Sequence, residues 1–385
     1  MDFTFTEEQQ AAAEAARGVF AGVAPDGVPS PALTRGAVAD DFDRALWARL
    51  ADADLLSLLL DAEYGGAGLD AIALCLVLRE SAKVLARVPL LESCAAAAAV
   101  QAYGGQELKA GLLAAAGRGQ VVLTVASHGR TGHDPAELAV TARQDGDAWI
   151  LDGVQTAVPW AHNADYTLVP AHVPAHMPAH TGADRTLLAL VPRVHESVVL
   201  AEQVSTTGER LAELRLESAR IAARDVIDAE GAWEWLRRLL TTGTCALALG
   251  LGENVLRMTG EYTGKREQFG FPVASFQAVA VQAADRYIDL RAMEATLWQA
   301  AWRLASGTQG ALPASGDVVV AKIWASDGVR RIVQTAQHLH GGFGADVDYP
   351  LHRYHAWAKH LELSLGPAAA HEEILGDLLA AHPLG

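Results

Sequence analysis

The sequence predicts an α+β protein laid out as helices, then a β-domain, then helices again. Three observations carry that reading. Residues 1–117 repeat apolar side chains at three and four spacing, and residues 230–385 return to a long apolar-periodic pattern. Between them, residues 118–229 carry short runs rich in Val, Leu and Thr, separated by Gly, Asp and Pro. With 51% hydrophobic residues over 385 positions, the chain can bury a large interior in two or three layers or domains.

The elements follow in order. TEEQQAAAEAARGVF opens a helix with Thr6 as N-cap and acidic residues in the first turn. FDRALWARLADADLLSLLL predicts an amphipathic helix, which the glycines of EYGGAGLD end. VVLTVAS, DAWILDGVQTAV, DYTLVPA and RTLLALV predict strands. The repeat PAHVPAHMPAH sets His172, His176 and His180 at even spacing. Its prolines predict an extended, solvated surface loop, and no carboxylate or cysteine completes a metal set there. From Trp233 a further helical stretch carries Gly243, Gly250 and Gly252, small residues that let helices approach closely.

Composition also excludes partners. A formal net charge of −16 argues against nucleic acid, which needs clustered Lys and Arg. No apolar run reaches the roughly 20 residues a bilayer demands, and the acidic start MDFTFTEEQQ does not resemble a signal peptide. Cys75, Cys94 and Cys245 fall in alanine- and leucine-rich helical patterns, which predicts buried thiols and a cytoplasmic location.

Several motifs resemble acyl-CoA dehydrogenases, and the resemblance covers nearly the whole chain. LWARLADADLLSLLLDAEYGGAGLD resembles that family's N-terminal domain. QHLHGGFGADVDYPLHRYHAWAKHLELSLG, from Gln337, resembles its C-terminal signature, in which an HGG turn and a Tyr-Pro pair precede the helix bearing the catalytic glutamate. The resemblance implies an N-terminal helical domain (1–117), a middle β-barrel or sandwich domain (118–229) and a C-terminal four-helix bundle (230–385). It also implies FAD and an acyl-CoA substrate.

The same motifs imply a divided site. KREQFGFPVASFQ resembles the family's Arg-x-x-Phe-Gly motif, with a glutamine eleven residues past the arginine. That similarity gives Arg266 the flavin pyrophosphate of a neighbouring subunit, with Phe269 and Gln277 packed around the cofactor. A planar fork of donors suits phosphate oxygens on its own chemistry. Gly341 and Gly342 take the turn the family sets against the adenine end, with His338 where a glutamine usually stands.

The remaining family positions are altered. The catalytic glutamate's place, a Tyr-Glu-Gly-Thr run, reads Ser364, Leu365, Gly366 and Pro367. The second known base position, 26 residues before Arg266, is Leu240. Glu234 and Glu362 are the nearest carboxylates in sequence. In the β-domain the run after Thr124 lacks the family's Glu-Pro, and Pro159 replaces the threonine that faces the flavin, with Trp160 displaced into the core.

These features predict a subunit that carries no catalytic residue and completes the FAD site of a sister chain bearing the glutamate. The resemblance extends to α2β2 members linked to steroid side-chain degradation. Two alternatives stand beside it: an active homotetramer with a non-standard base such as Glu362, and a flavin-free scaffold.

Overall fold

In the computed structural model, which describes residues 4–131, 137–175 and 185–382, Thr6 caps α1 (Glu7–Phe20) as expected. Its hydroxyl accepts from Gln9 N at 3.2 Å, and Gln9 Oε1 accepts from Thr6 N at 3.0 Å. This reciprocal capping box satisfies two otherwise orphaned donors. The second predicted helix is shorter than its apolar periodicity suggested. α2 (Arg44–Asp52) stops where Asp54 turns left-handed at φ 57°. Leu55, Leu56, Leu58 and Leu60 are still buried, but as an irregular segment whose carbonyls at Leu58 and Leu60 bind Leu69 N and Gly68 N. Periodicity reported burial there, not helix.

α3 (Ala71–Lys83), α4 (Leu90–Tyr103) and α5 (Gln106–Gly117) complete the first helical zone. The β-zone runs from β1 (Leu123–Val125) to β8 (Val226–Ile227). Between them lie β2 (Val140–Asp145), β3 (Ala148–Val158), β4 (Tyr166–Val173), β5 (Arg185–Pro192), β6 (Val198–Val204) and β7 (Arg210–Ala222). They form a single eight-stranded sheet in the order β6-β7-β3-β2-β4-β5-β8, with β1 parallel to β4. The proline–histidine repeat is not wholly a surface loop. Residues 170–173 belong to β4, paired to β5, with Ala171 and Val173 in the core. His176 and His180 lie outside the described residues.

The last zone packs α6 (Ala232–Lys265), α7 (Gln277–Ser306) and α8 (Ala314–His340) together, with α9 (Leu351–Leu363) and α10 (Ala368–Ala381) against α8. Contrary to the sequence expectation, α6 is long and apolar enough to cross a membrane. However, 78% of its apolar window is buried inside the protein. One short hairpin, β9 (Glu267–Gln268) and β10 (Phe271–Pro272), joins α6 to α7. The three cysteines are free and buried, and burial pushes the Cys94 and Cys245 thiols up to about 12.

Candidate functional site

Leu240 and Leu365, the residues expected at the two base positions, are distant in sequence but meet in space. Leu240 of α6 and Leu365 beyond α9 line one cavity of about 90 Å³, walled also by α3, α4 and the β-domain. Leu240 and Leu365 are 3% and 7% exposed, so each presents buried hydrocarbon where a base would stand. The loop holding Leu365 is built firmly. Leu365 sits at φ 58°, and its carbonyl accepts from His371 Nε2 at 2.8 Å. Fully buried Lys322 donates to the Leu361 and Glu362 carbonyls at 3.0 and 3.1 Å, a cation at the C-terminal end of α9. Burial pulls that lysine down to about 8.

The β-domain face of the cavity is closed by its own bonds. Thr124 Oγ1 donates to the Pro159 carbonyl at 2.6 Å, so its hydroxyl is spent inside the chain. Trp160, at φ 57° and 6% exposed, lies edge-on to Phe42, with centroids 6.2 Å apart. Glu92 and Glu209 line the same cavity as Trp160, and the Trp160 side chain and backbone moderate the rise of their respective carboxyls. The Trp160 indole and Pro159 thus form part of the cavity wall.

Glu92 and Glu209 were not foreseen. Nothing in an alanine-rich helix or a Thr-Thr-Gly turn marks either as special, and only the packing of α4 against the β6–β7 turn brings them together. Burial raises Glu92 to about 7 and Glu209 to about 8, with Glu92 itself adding to the second shift. Burial likewise lowers His128 and His360 to about 4. Glu362, the carboxylate nearest Leu365 in sequence, does not line this cavity. It binds Lys359 Nζ at 2.5 Å and lies 3.8 Å from Arg330, as an ordinary ion pair. Glu234 is exposed at the start of α6.

These carboxyls set a pH dependence whose sign is fixed. A raised carboxyl keeps its proton in the folded chain, so its contribution is intact below about 4.5 and is lost as pH rises through 7 and 8. The lowered histidines act oppositely, losing stability only as pH falls from 6.5 towards 4. Between pH 6.5 and 8 the carboxyls outweigh the buried histidines and Lys322, which act in the other direction, and stability should fall by about 1 kcal/mol. Urea denaturation of Glu209→Gln should show less than half that fall. An unchanged slope would mean Glu209 is ionised throughout.

The other predicted residues lie on an open face. Arg266 follows the last turn of α6, Phe269 tips the hairpin at φ 55° and 90% exposure, and Gln277 begins α7. Among the described residues, the Arg266 guanidinium has no ion pair or hydrogen bond. One turn earlier, Tyr262 stacks on His340 and Phe343, with centroids 4.4 and 5.4 Å apart, which brings the hairpin root beside the HGG turn. There Gly341 adopts φ 60°, which suits a residue without Cβ, and His338 and Gly342 are exposed. The structure thus separates the expected residues into a closed pocket and a free surface.

Residues 6–120 match the family described as acyl-CoA dehydrogenase, N-terminal domain, and residues 238–380 match acyl-CoA dehydrogenase, C-terminal domain. Acyl-CoA dehydrogenase FadE27 of Mycobacterium tuberculosis is 36% identical over 391 residues, covering 100% of both chains. A chain of the ChsE4-ChsE5 complex from Mycobacterium tuberculosis superposes with a TM-score of 0.88 at 34% identity, covering 100% of both. A chain of a single-substitution variant of the Tcur3481-Tcur3483 steroid ACAD gives 0.85 at 34% identity, covering 97% of this chain and 98% of that one.

Proposed function

The chain belongs to the acyl-CoA dehydrogenase family, and from that premise we propose that it is the non-catalytic subunit of a hetero-oligomeric member. One observation carries the reading: Leu240 and Leu365 converge on a single cavity as buried leucines, while Arg266 stands exposed at the surface. A sister chain supplies the glutamate and the flavin-facing β-domain. This chain supplies Arg266, Phe269 and Gln277 to the sister's FAD, with Gly341, Gly342 and His338 along the same edge.

Held by Arg266, Phe269 and Gln277, FAD would supply the hydride acceptor for α,β-dehydrogenation of an acyl-CoA thioester, with the sister's glutamate as the base for the α-proton. Loss of such a base costs on the order of 10²–10⁴-fold, so a leucine leaves this chain's own pocket silent. Arg266 offers a fixed charge and parallel N–H donors to pyrophosphate oxygens, and Phe269 shields the cofactor from water. A steroid side-chain thioester is the substrate class this reading favours, supported by the likeness to the steroid ACAD chain.

The test is bound flavin, read by its absorbance and by protein content. The chain purified alone should carry almost none, and the chain with its sister about one FAD per heterodimer. Arg266→Ala in this chain should weaken FAD binding by the complex roughly 10- to 100-fold, the worth of a charge-assisted hydrogen bond. A full flavin complement in the chain alone would overturn the proposal in favour of a homomeric enzyme. No flavin in either state would leave a scaffold.

A further inference from the structure

We propose that the cavity walled by Leu240, Leu365 and Glu209 is a binding site for a small neutral molecule with an apolar body and one hydroxyl group. The inference rests on the reading that this chain's own pocket holds no flavin, which the flavin content of the chain alone tests separately. At about 90 Å³ the cavity is larger than the roughly 10–15 Å³ that holds one water and smaller than the roughly 150 Å³ void that admits benzene. Leu78, Leu91, Leu240 and Leu365 are among the side chains of a mainly apolar wall.

Three lining side chains carry a polar atom with no hydrogen-bond partner among the described residues: Glu209 Oε1, Trp357 Nε1 and His128 Nδ1. Glu209 is only 5% exposed, so water outside the cavity does not satisfy it. Buried polar groups are normally paired, and three unpaired atoms around one hollow point to an occupant. An indole N–H needs an acceptor and a carboxyl oxygen needs a donor or, when protonated, an acceptor. A single hydroxyl can serve both.

Charge selects a neutral body. A cation would meet the electrostatic reach of Arg87 and Lys322, both of which act on His360 in the cavity wall. Where Glu92 and Glu209 keep their protons, they offer a donor and an acceptor to a neutral ligand and no charge to a charged one. Raised pKa values at these two carboxyls fit the same picture of a site that disfavours net charge.

The probes are 2-propanol and its hydrocarbon counterpart propane, both smaller than benzene, titrated into the intact chain, alone and assembled with its sister. Trp160 and Trp357 in the wall report by fluorescence, and the thermal midpoint reports independently. 2-Propanol should bind saturably at millimolar concentration and raise the midpoint, with propane weaker by about tenfold or more. Glu209→Leu should erase the preference for the alcohol. Leu240→Phe should block both probes by filling the cavity while leaving every polar atom in place. Equal binding of the two probes, no saturable 2-propanol binding, or binding unaltered in Leu240→Phe would each overturn the proposal. So would ordered water alone in the cavity of a crystal grown with 2-propanol.

Discussion

Replacing Phe271 and Ile288 together by aspartate should leave the chain folded and abolish its assembly with a sister dehydrogenase chain. Over residues 264–288 almost every side chain is exposed, although the segment includes the hairpin and the first three turns of a long helix. Its apolar side chains include Phe269 at 90% exposure, Ile288 at 64%, Phe271 at 62% and Tyr287 at 55%. Chains that work as monomers rarely leave so continuous an apolar patch in water. Two anchors lost at about 2 kcal/mol or more each should weaken association by at least several hundredfold. The substituted residues touch little of the folded chain, so circular dichroism and thermal midpoint should stay near wild type. Sedimentation velocity with the sister chain reads the outcome. Wild-type assembly by the double variant would place the interface elsewhere and remove the main support for a shared FAD site.

Gly250→Ala should destabilise the chain by about 3 kcal/mol or more, whereas Gly260→Ala should stabilise it by up to about 1 kcal/mol. The two glycines lie on the same helix, α6, and differ only in what faces them. A Cβ at position 250 would overlap the Arg79 carbonyl oxygen and lie 2.7 Å from its carbon, so backbone would have to move. Arg79 is itself tied to Glu253 by a salt bridge one turn along α6, which opposes that movement. At Gly243 the obstacles are tips of Leu91 and Leu78, which can rotate away. At Gly260 nothing stands within 4 Å, and alanine simply removes backbone freedom from the unfolded chain. Denaturant midpoints of the two variants decide the matter. A Gly250→Ala variant within about 1 kcal/mol of wild type would show that α3 and α6 can part without cost.

What was legible in the sequence followed from local rules. The capping box at Thr6, the change of period near residue 120 and the long helix after Trp233 each depend on residues within a few positions of one another. The loss of both base positions was legible too, because motif spacing alone places Leu365 and Leu240. The failures have the same root. The leucines of residues 55–60 repeat at helical spacing because they are buried, yet the left-handed Asp54 ends the helix before them. Residues 170–173 resemble a solvated loop by composition, but pairing with β5 draws them into the sheet.

The sequence by itself determined the order of helical and β zones, and it placed leucines at 240 and 365 and an arginine motif at residues 265–277. Only the tertiary structure decided that Leu240 and Leu365 share one cavity, that Thr124 spends its hydroxyl on Pro159, and that Glu92 and Glu209 line that cavity with Trp160. These are contacts between distant segments, and their energetics depend on burial, which no local pattern encodes. A glutamate in an alanine-rich helix is ordinary until packing removes its water.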